Sequence, residues 1–152
     1  MSATEIPPLV VEFEVTAAPA HAFATWVDRI ELWWPKDHTV GTDPAAIVFE
    51  SHVGGRIYER DDDGREVVWG EVTHWEPPSR IDFRWHLFFS PDEATTVSVT
   101  FEPTGTTTLV RLVQTGWDAL GEQAQERRTG TQRGWTHTTS IYRDFINQEA
   151  TP

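Results

Sequence analysis

Apolar and polar residues alternate over much of the first two thirds of the chain. Val11, Phe13 and Val15 fall on one side of the segment 9–16 and Glu12 and Glu14 on the other, which predicts a half-buried strand. Ile81, Phe83 and Trp85 alternate in the same way with Asp82, Arg84 and His86, and Val97, Val99 and Phe101 with Ser98, Thr100 and Glu102. In the run 108–114, Thr108, Val110, Leu112 and Gln114 share a face; because Arg111 belongs outside, Gln114 belongs inside. Further strands are predicted at 46–52, 56–60 and 66–75. Val53-Gly54-Gly55 joins the first two through a bulge or a turn of positive φ, and Asp61-Asp62-Asp63-Gly64 reads as a tight hairpin. Pro77-Pro78 ends the third, and Pro103-Thr104-Gly105 turns the chain between the last two strands. The directions of Trp69 and Trp75 stay open, since a bulge near Trp75 would exchange the two faces.

The period changes twice. Pro19 suits a first helical turn, and Phe23, Trp26, Val27 and Ile30 follow at helical spacing up to Trp33-Trp34-Pro35, giving one short helix or a bent pair. The polar stretch 36–44 reads as a loop at a pocket mouth. The last third, 118–148, reads as one long helix with Asp118 as N-cap, Glu122 and Glu126 in the opening turns and arginines further down. Trp135, Thr138, Tyr142 and Phe145, with Ile141 and Ile146, make its apolar stripe. Gly130 and Gly134 each cost such a helix about 1 kcal/mol against Ala, and Thr129, Thr131, Thr136, Thr138 and Thr139 are poor helix formers, so packing must hold it. The sum is an α+β domain over 9–148, with tails at 1–8 and 149–152. About seven strands form a curved antiparallel sheet around the terminal helix, leaving a wedge between them.

Composition, at 38% hydrophobic and 24% charged, is that of an ordered globule. The net charge of −12 argues against nucleic acid and against anionic membrane surfaces as partners. The chain shows no transmembrane run and no secretory leader, so the expected location is cytoplasmic. Zero cysteines remove thiol chemistry and thiolate metal sites. Eight tryptophans spread over every segment point instead to an interior that borders a pocket. Chemistry has little local support. There is no Gly-x-Ser-x-Gly elbow and no glycine-rich phosphate loop. No two histidines stand at a helical zinc spacing, and a calcium-loop register would put Gly70 where a bidentate Glu is required. Glu50, Glu71 and Asp118 are available carboxylates that nothing in the sequence brings together. No catalytic residue, metal or cofactor is therefore expected.

Several short motifs recur in a telling order. They are Pro19 with Phe23 and Trp26, Trp33-Trp34-Pro35, Val53-Gly54-Gly55-Arg56, and Gly70 with Val72. Pro77-Pro78 with Arg80-Ile81, Phe83 and Trp85 follows, then Thr115-Gly116-Trp117 and Gly134-Trp135. Together they resemble the heat-shock protein 90 ATPase activator-like (AHSA) domains of the START-like (SRPBCC), helix-grip superfamily, over nearly the whole chain. The resemblance implies a cup that holds apolar small molecules between sheet and helix; some members are enzymes, and the namesakes stimulate a chaperone ATPase. Thr136, His137, Thr138 and Thr139 depart from the more aliphatic helix face usual there and imply a pocket with a polar side. On this reading Trp26, Trp34, Phe83, Trp85, Val99, Val110 and Trp135 make the walls, while Gln114, Thr138 and Tyr142 orient an apolar or aromatic ligand. The leading expectation is non-catalytic binding by a monomer or homodimer. The alternatives are a chaperone-associated interaction module working through an outer face, and a cleft enzyme of cyclase or hydrolase type.

Overall fold

The computed structural model describes residues 6–42 and 44–149. Strand β1 (Leu9–Val15) is followed by helices α1 (Pro19–Asp28) and α2 (Ile30–Trp33). The pair is bent at Arg29, whose φ of −116° and ψ of 20° leave the helical region. Strands β2 (Ala46–Phe49), β3 (Arg56–Arg60), β4 (Glu66–Glu76), β5 (Arg80–Trp85), β6 (Thr95–Thr104) and β7 (Thr107–Thr115) come next, and helix α3 (Ala124–Glu149) closes the chain. Among the described residues the seven strands form one antiparallel sheet in the order β1-β7-β6-β5-β4-β3-β2. Consecutive strands from β2 to β7 are neighbours, as short turns require, and β1 pairs with β7 at the far edge.

Two irregularities in β4 curl the sheet and answer the question of Trp69 and Trp75. Tyr58 faces Val68 and Ile57 faces Gly70, so Trp69 is an inserted residue; Val72 faces Phe83 and His74 faces Asp82, so Thr73 is a second. Each insertion reverses the alternation. Trp69 and Val72 are both buried although three apart, and Trp75 returns to the inner side against Phe23, ring centroids 5.1 Å apart. Gly70 is obligatory at the first bulge: a Cβ there would lie 2.0 Å from the Arg84 carbonyl oxygen.

Some boundaries differ from expectation. β2 stops at Phe49 rather than continuing to His52, because the Glu50 side chain turns back and its Oε1 accepts the Arg56 N–H at 2.6 Å. The hairpin tip agrees with its turn reading: Gly64 has a φ of +87° and Asp61 Oδ1 accepts the N–H groups of Asp63 and Arg65. The long helix does not start at Asp118. Residues Trp117–Gln123 form a 3₁₀ stretch broken at Gly121, at φ 66° and ψ −133°, and α3 begins only at Ala124. Asp118 is not an N-cap; its Oδ1 accepts the Ile6 N–H at 2.9 Å. With Arg128 donating to the carbonyls of Pro7 and Pro8, this pins residues 6–8 of the N-terminal tail against the body of the domain. The rest of the two predicted tails, 1–5 and 150–152, lies outside the described residues.

Helix α3 crosses the concave side of the sheet with its expected stripe inward. Tyr142 is fully buried, donates to the Ala22 carbonyl at 2.6 Å and meets Trp26, Trp33 and Phe13 edge-on. Burial pushes its hydroxyl pKa well above the ordinary value. Trp26, Phe23 and Phe101 extend this cluster into the sheet, so α1 and α2 pack one end of the wedge with aromatic rings.

Candidate functional site

The other end of the wedge is empty. Between the first turns of α3 and the segment after β5 lies a cavity of about 500 Å³. Its inner wall is made by Trp34, Trp85 and Trp135, whose ring centroids are 5.3 to 5.9 Å apart. Leu87, Phe88 and Phe89 form the outer wall; Gly130, Thr131, Gly134 and Thr138 form the side along α3. The poor helix formers thereby acquire a reason. A Cβ at Gly130 would meet nothing within 4 Å, and one at Gly134 only the His38 ring at 3.8 Å. The helix gives up propensity here and leaves space instead.

Of the residues expected at the site, Trp34, Trp85, Trp135 and Thr138 line this cavity together. Trp26, Phe83, Val99, Val110, Gln114 and Tyr142 do not line it. Trp26 and Tyr142 belong to the filled end of the wedge, and Phe83 packs edge-on against Phe49 and Trp85. Val99 and Val110 are fully buried in the sheet core. Gln114 points inward as its parity requires, yet both ends of its amide are engaged: Oε1 accepts Trp135 Nε1–H at 2.7 Å and Nε2 donates to Thr95 Oγ1 at 2.6 Å. It thereby fixes the Trp135 wall from behind. Sequence reading missed Leu87, Phe88, Phe89, His38 and Arg127. The available signal was an apolar run, Leu87-Phe88-Phe89, outside any strand period and just before Ser90-Pro91.

Arg127 is the cationic group of the cavity wall, which Glu126 also lines. Its Nη2 donates to Glu93 Oε2 at 2.6 Å, and its guanidinium carbon lies 3.7 Å from the centroid of the Phe89 ring. Glu93 is held in turn by a capping box with Ser90. The Ser90 backbone N–H, and then Arg127, keep the Glu93 carboxyl below its usual pKa. Arg127 Nη1 and His86 Nδ1 are buried without a hydrogen-bond partner. Both residues border a second space of about 30 Å³ behind Phe89, which Thr95 and Gln114 also line. Phe88 adopts a φ of 73°, an uncommon conformation for a bulky residue.

Three potential metal donors meet at the rim. His38 Nδ1 is 2.9 Å and His137 Nε2 3.8 Å from Asp37 Oδ1, and all three donor atoms lie within 4.8 Å of one another. Two imidazoles and a carboxylate form a donor set that suits a divalent transition metal. No helical spacing announces it, because His38 and His137 sit 99 positions apart on different elements. The hydrogen bond with His38 holds the Asp37 carboxyl below its ordinary pKa.

A curled seven-stranded sheet closed on a long C-terminal helix, with an aromatic-walled cavity between them, defines a protein of helix-grip architecture. The chain belongs to the AHSA1 family, activator of Hsp90 ATPase homolog 1-like protein, whose family model matches residues 16–141. Among solved structures, it is similar to CalC, a self-sacrificing resistance protein from Micromonospora echinospora, with 28% identity and a TM-score of 0.76 over 94% of this chain and 96% of that one. It is 34% identical to an anthrahydroquino-γ-pyrone synthase, Txn09, over 80% of this chain and 84% of that one, with a TM-score of 0.58. It also shares its fold with the Aha1 dimer from Colwellia psychrerythraea, at 16% identity and a TM-score of 0.67 over 93% and 97% of the two chains. A comparison with curated proteins finds no match. No helix among the described residues is long and apolar enough to cross a membrane.

Proposed function

We propose that this protein binds an aromatic small molecule in the cavity between α3 and the end of β5, without catalysing its conversion and without a cofactor, as a cytoplasmic monomer or homodimer. The observation that carries this reading is the wall of Trp34, Trp85 and Trp135 around about 500 Å³ of space. That is the size and lining of small-molecule sites, and flat ring faces reward a flat aromatic ligand. Thr138 and Arg127 supply polarity at the edge.

The test is a titration with fused aromatics such as fluorene and 9-fluorenone, followed by quenching of the cavity tryptophans and by native mass spectrometry. The expected result is one molecule per chain with micromolar affinity. Gly130→Phe, which puts a ring into the open space beside α3, is expected to weaken binding at least about tenfold with an unchanged circular dichroism spectrum. Unchanged affinity in that variant would remove the cavity as the site.

A second reading, a cleft enzyme of cyclase type, is favoured by the 34% identity to the γ-pyrone synthase and by the buried imidazole of His86 close to the cavity. Turnover of a polyketide-like aromatic precursor, lost in His86→Ala with the fold retained, would replace the first. The family description raises a third, stimulation of a chaperone ATPase through an outer face. An unchanged ATPase rate on adding the protein disposes of it.

A further inference from the structure

The unpartnered edge of Arg127 states what kind of aromatic molecule the cavity takes. One guanidinium edge is bound to Glu93, one face is covered by Phe89, and Nη1 is buried with nothing to accept its protons. A buried cationic donor left unmet is destabilising, and native proteins fill such gaps with water or with a ligand. The adjoining space of about 30 Å³ is the size of one oxygen-bearing group. We propose that this space receives an uncharged acceptor oxygen of the ligand, a ketone or quinone carbonyl on a fused aromatic ring system, hydrogen-bonded to Arg127. This rests on the cavity being the ligand site.

Charge decides between a carbonyl and a carboxylate. Arg127 is already balanced by Glu93, and Glu126 lines the same cavity. An added carboxylate would face two acidic side chains in a protein of net charge −12 with only one guanidinium to share. A carbonyl takes the free N–H at no such cost. Polarised by a cation, it binds more strongly than a neutral pair would. Phe89 would lie over the bound molecule's polar end, and Phe88 beside it occupies the positive-φ conformation that strained functional loops favour.

The experiment compares three ligands of one skeleton by tryptophan quenching: fluorene, 9-fluorenone and fluorene-9-carboxylate. Wild type is expected to bind fluorenone roughly tenfold to a hundredfold more tightly than fluorene, and the carboxylate more weakly than fluorenone. In Arg127→Met the ketone-to-hydrocarbon ratio is expected to fall to about one while fluorene affinity changes little; Arg127→Lys restores part of the preference. Because the ratio is measured within one variant, general loosening of the loop cancels. Glu93→Gln leaves the guanidinium in place and serves if Arg127→Met does not fold; it is expected to keep the ketone preference and to raise affinity for the carboxylate several-fold. Equal affinity of wild type for fluorenone and fluorene would overturn the carbonyl site, leave water as its occupant and leave the cavity reading standing. Failure of all three ligands to bind would overturn both.

Discussion

Gln114 illustrates how far one residue can be read from its neighbours. Its parity with Val110 and Leu112 places it inside, and it is buried with 2% of its surface exposed. Its partners come from elsewhere: Trp135 on α3 and Thr95 on β6, with Trp117 Nε1–H donating to its backbone carbonyl at 2.9 Å. A buried polar side chain bonded at both ends of its amide is an internal brace. Gln114→Leu is accordingly expected to act on stability. It leaves the Trp135 indole N–H without its acceptor, while the Thr95 hydroxyl keeps the Trp85 carbonyl, and should cost about 1–3 kcal/mol in urea unfolding, with aromatic-ligand affinity changed only slightly. A variant with wild-type stability and altered ligand selectivity would return Gln114 to the binding site.

At the scale of elements, α3 and β4 depart from local preference for opposite reasons. Gly130 is unfavourable for a helix and nothing occupies its missing side chain's place. Gly130→Ala is therefore expected to stabilise the protein by about 1 kcal/mol, or 2–4 °C in Tm, while slightly narrowing the cavity. Gly70 in β4 looks like an equally weak residue, yet a Cβ there collides with the Arg84 carbonyl. Gly70→Ala should remove the bulge and with it the inward turn of Trp69, reported by loss of a cooperative thermal transition. Two glycines of similar appearance thus predict opposite signs, and a pair of thermal melts tests both. The break at Gly121 depends on a backbone conformation, φ 66°, that the pattern of side chains does not reveal.

The whole molecule carries twice as many acidic as basic residues, 24 against 12, and several of the acids are held in their charged form. Glu93 is kept below its ordinary pKa by Ser90 and Arg127, Glu66 by Arg56, and Asp37 by His38. A carboxyl whose pKa is lower in the folded than in the unfolded state binds fewer protons when folded. Its contribution is fully present above the unfolded value and is lost as pH falls through the folded one. The ordinary values are 4.5 for Glu and 3.8 for Asp, so the urea midpoint should be flat above about pH 5 and decline below about 4.5. Exposed pairs are screened, so the decline should shrink in high salt. Glu93→Gln is expected to flatten part of it; an identical pH profile would mean that the Glu93–Arg127 clamp contributes nothing to folding.

Periodicity and turn residues determined the existence and order of the main helices and strands, the antiparallel connections and the inward set of Trp135, Thr138, Tyr142 and Ile146 on α3. They could do so because facing inward or outward is a local property of a repeat of two or 3.6 residues. The order of short motifs added the family. Tertiary structure decided where the wedge is filled and where it is empty, since a cavity is a small difference between the volumes supplied by α1, α2, α3 and the sheet. It packed Trp26 against Tyr142 at the filled end, joined Gln114 to Trp135 and Thr95, and brought Phe88, Phe89 and Arg127 to the cavity. It also joined His38 to His137 at the rim. These contacts link positions far apart in the chain through bulges, a left-handed glycine and a turned side chain, each of which shifts register without altering the apolar pattern that the sequence displays.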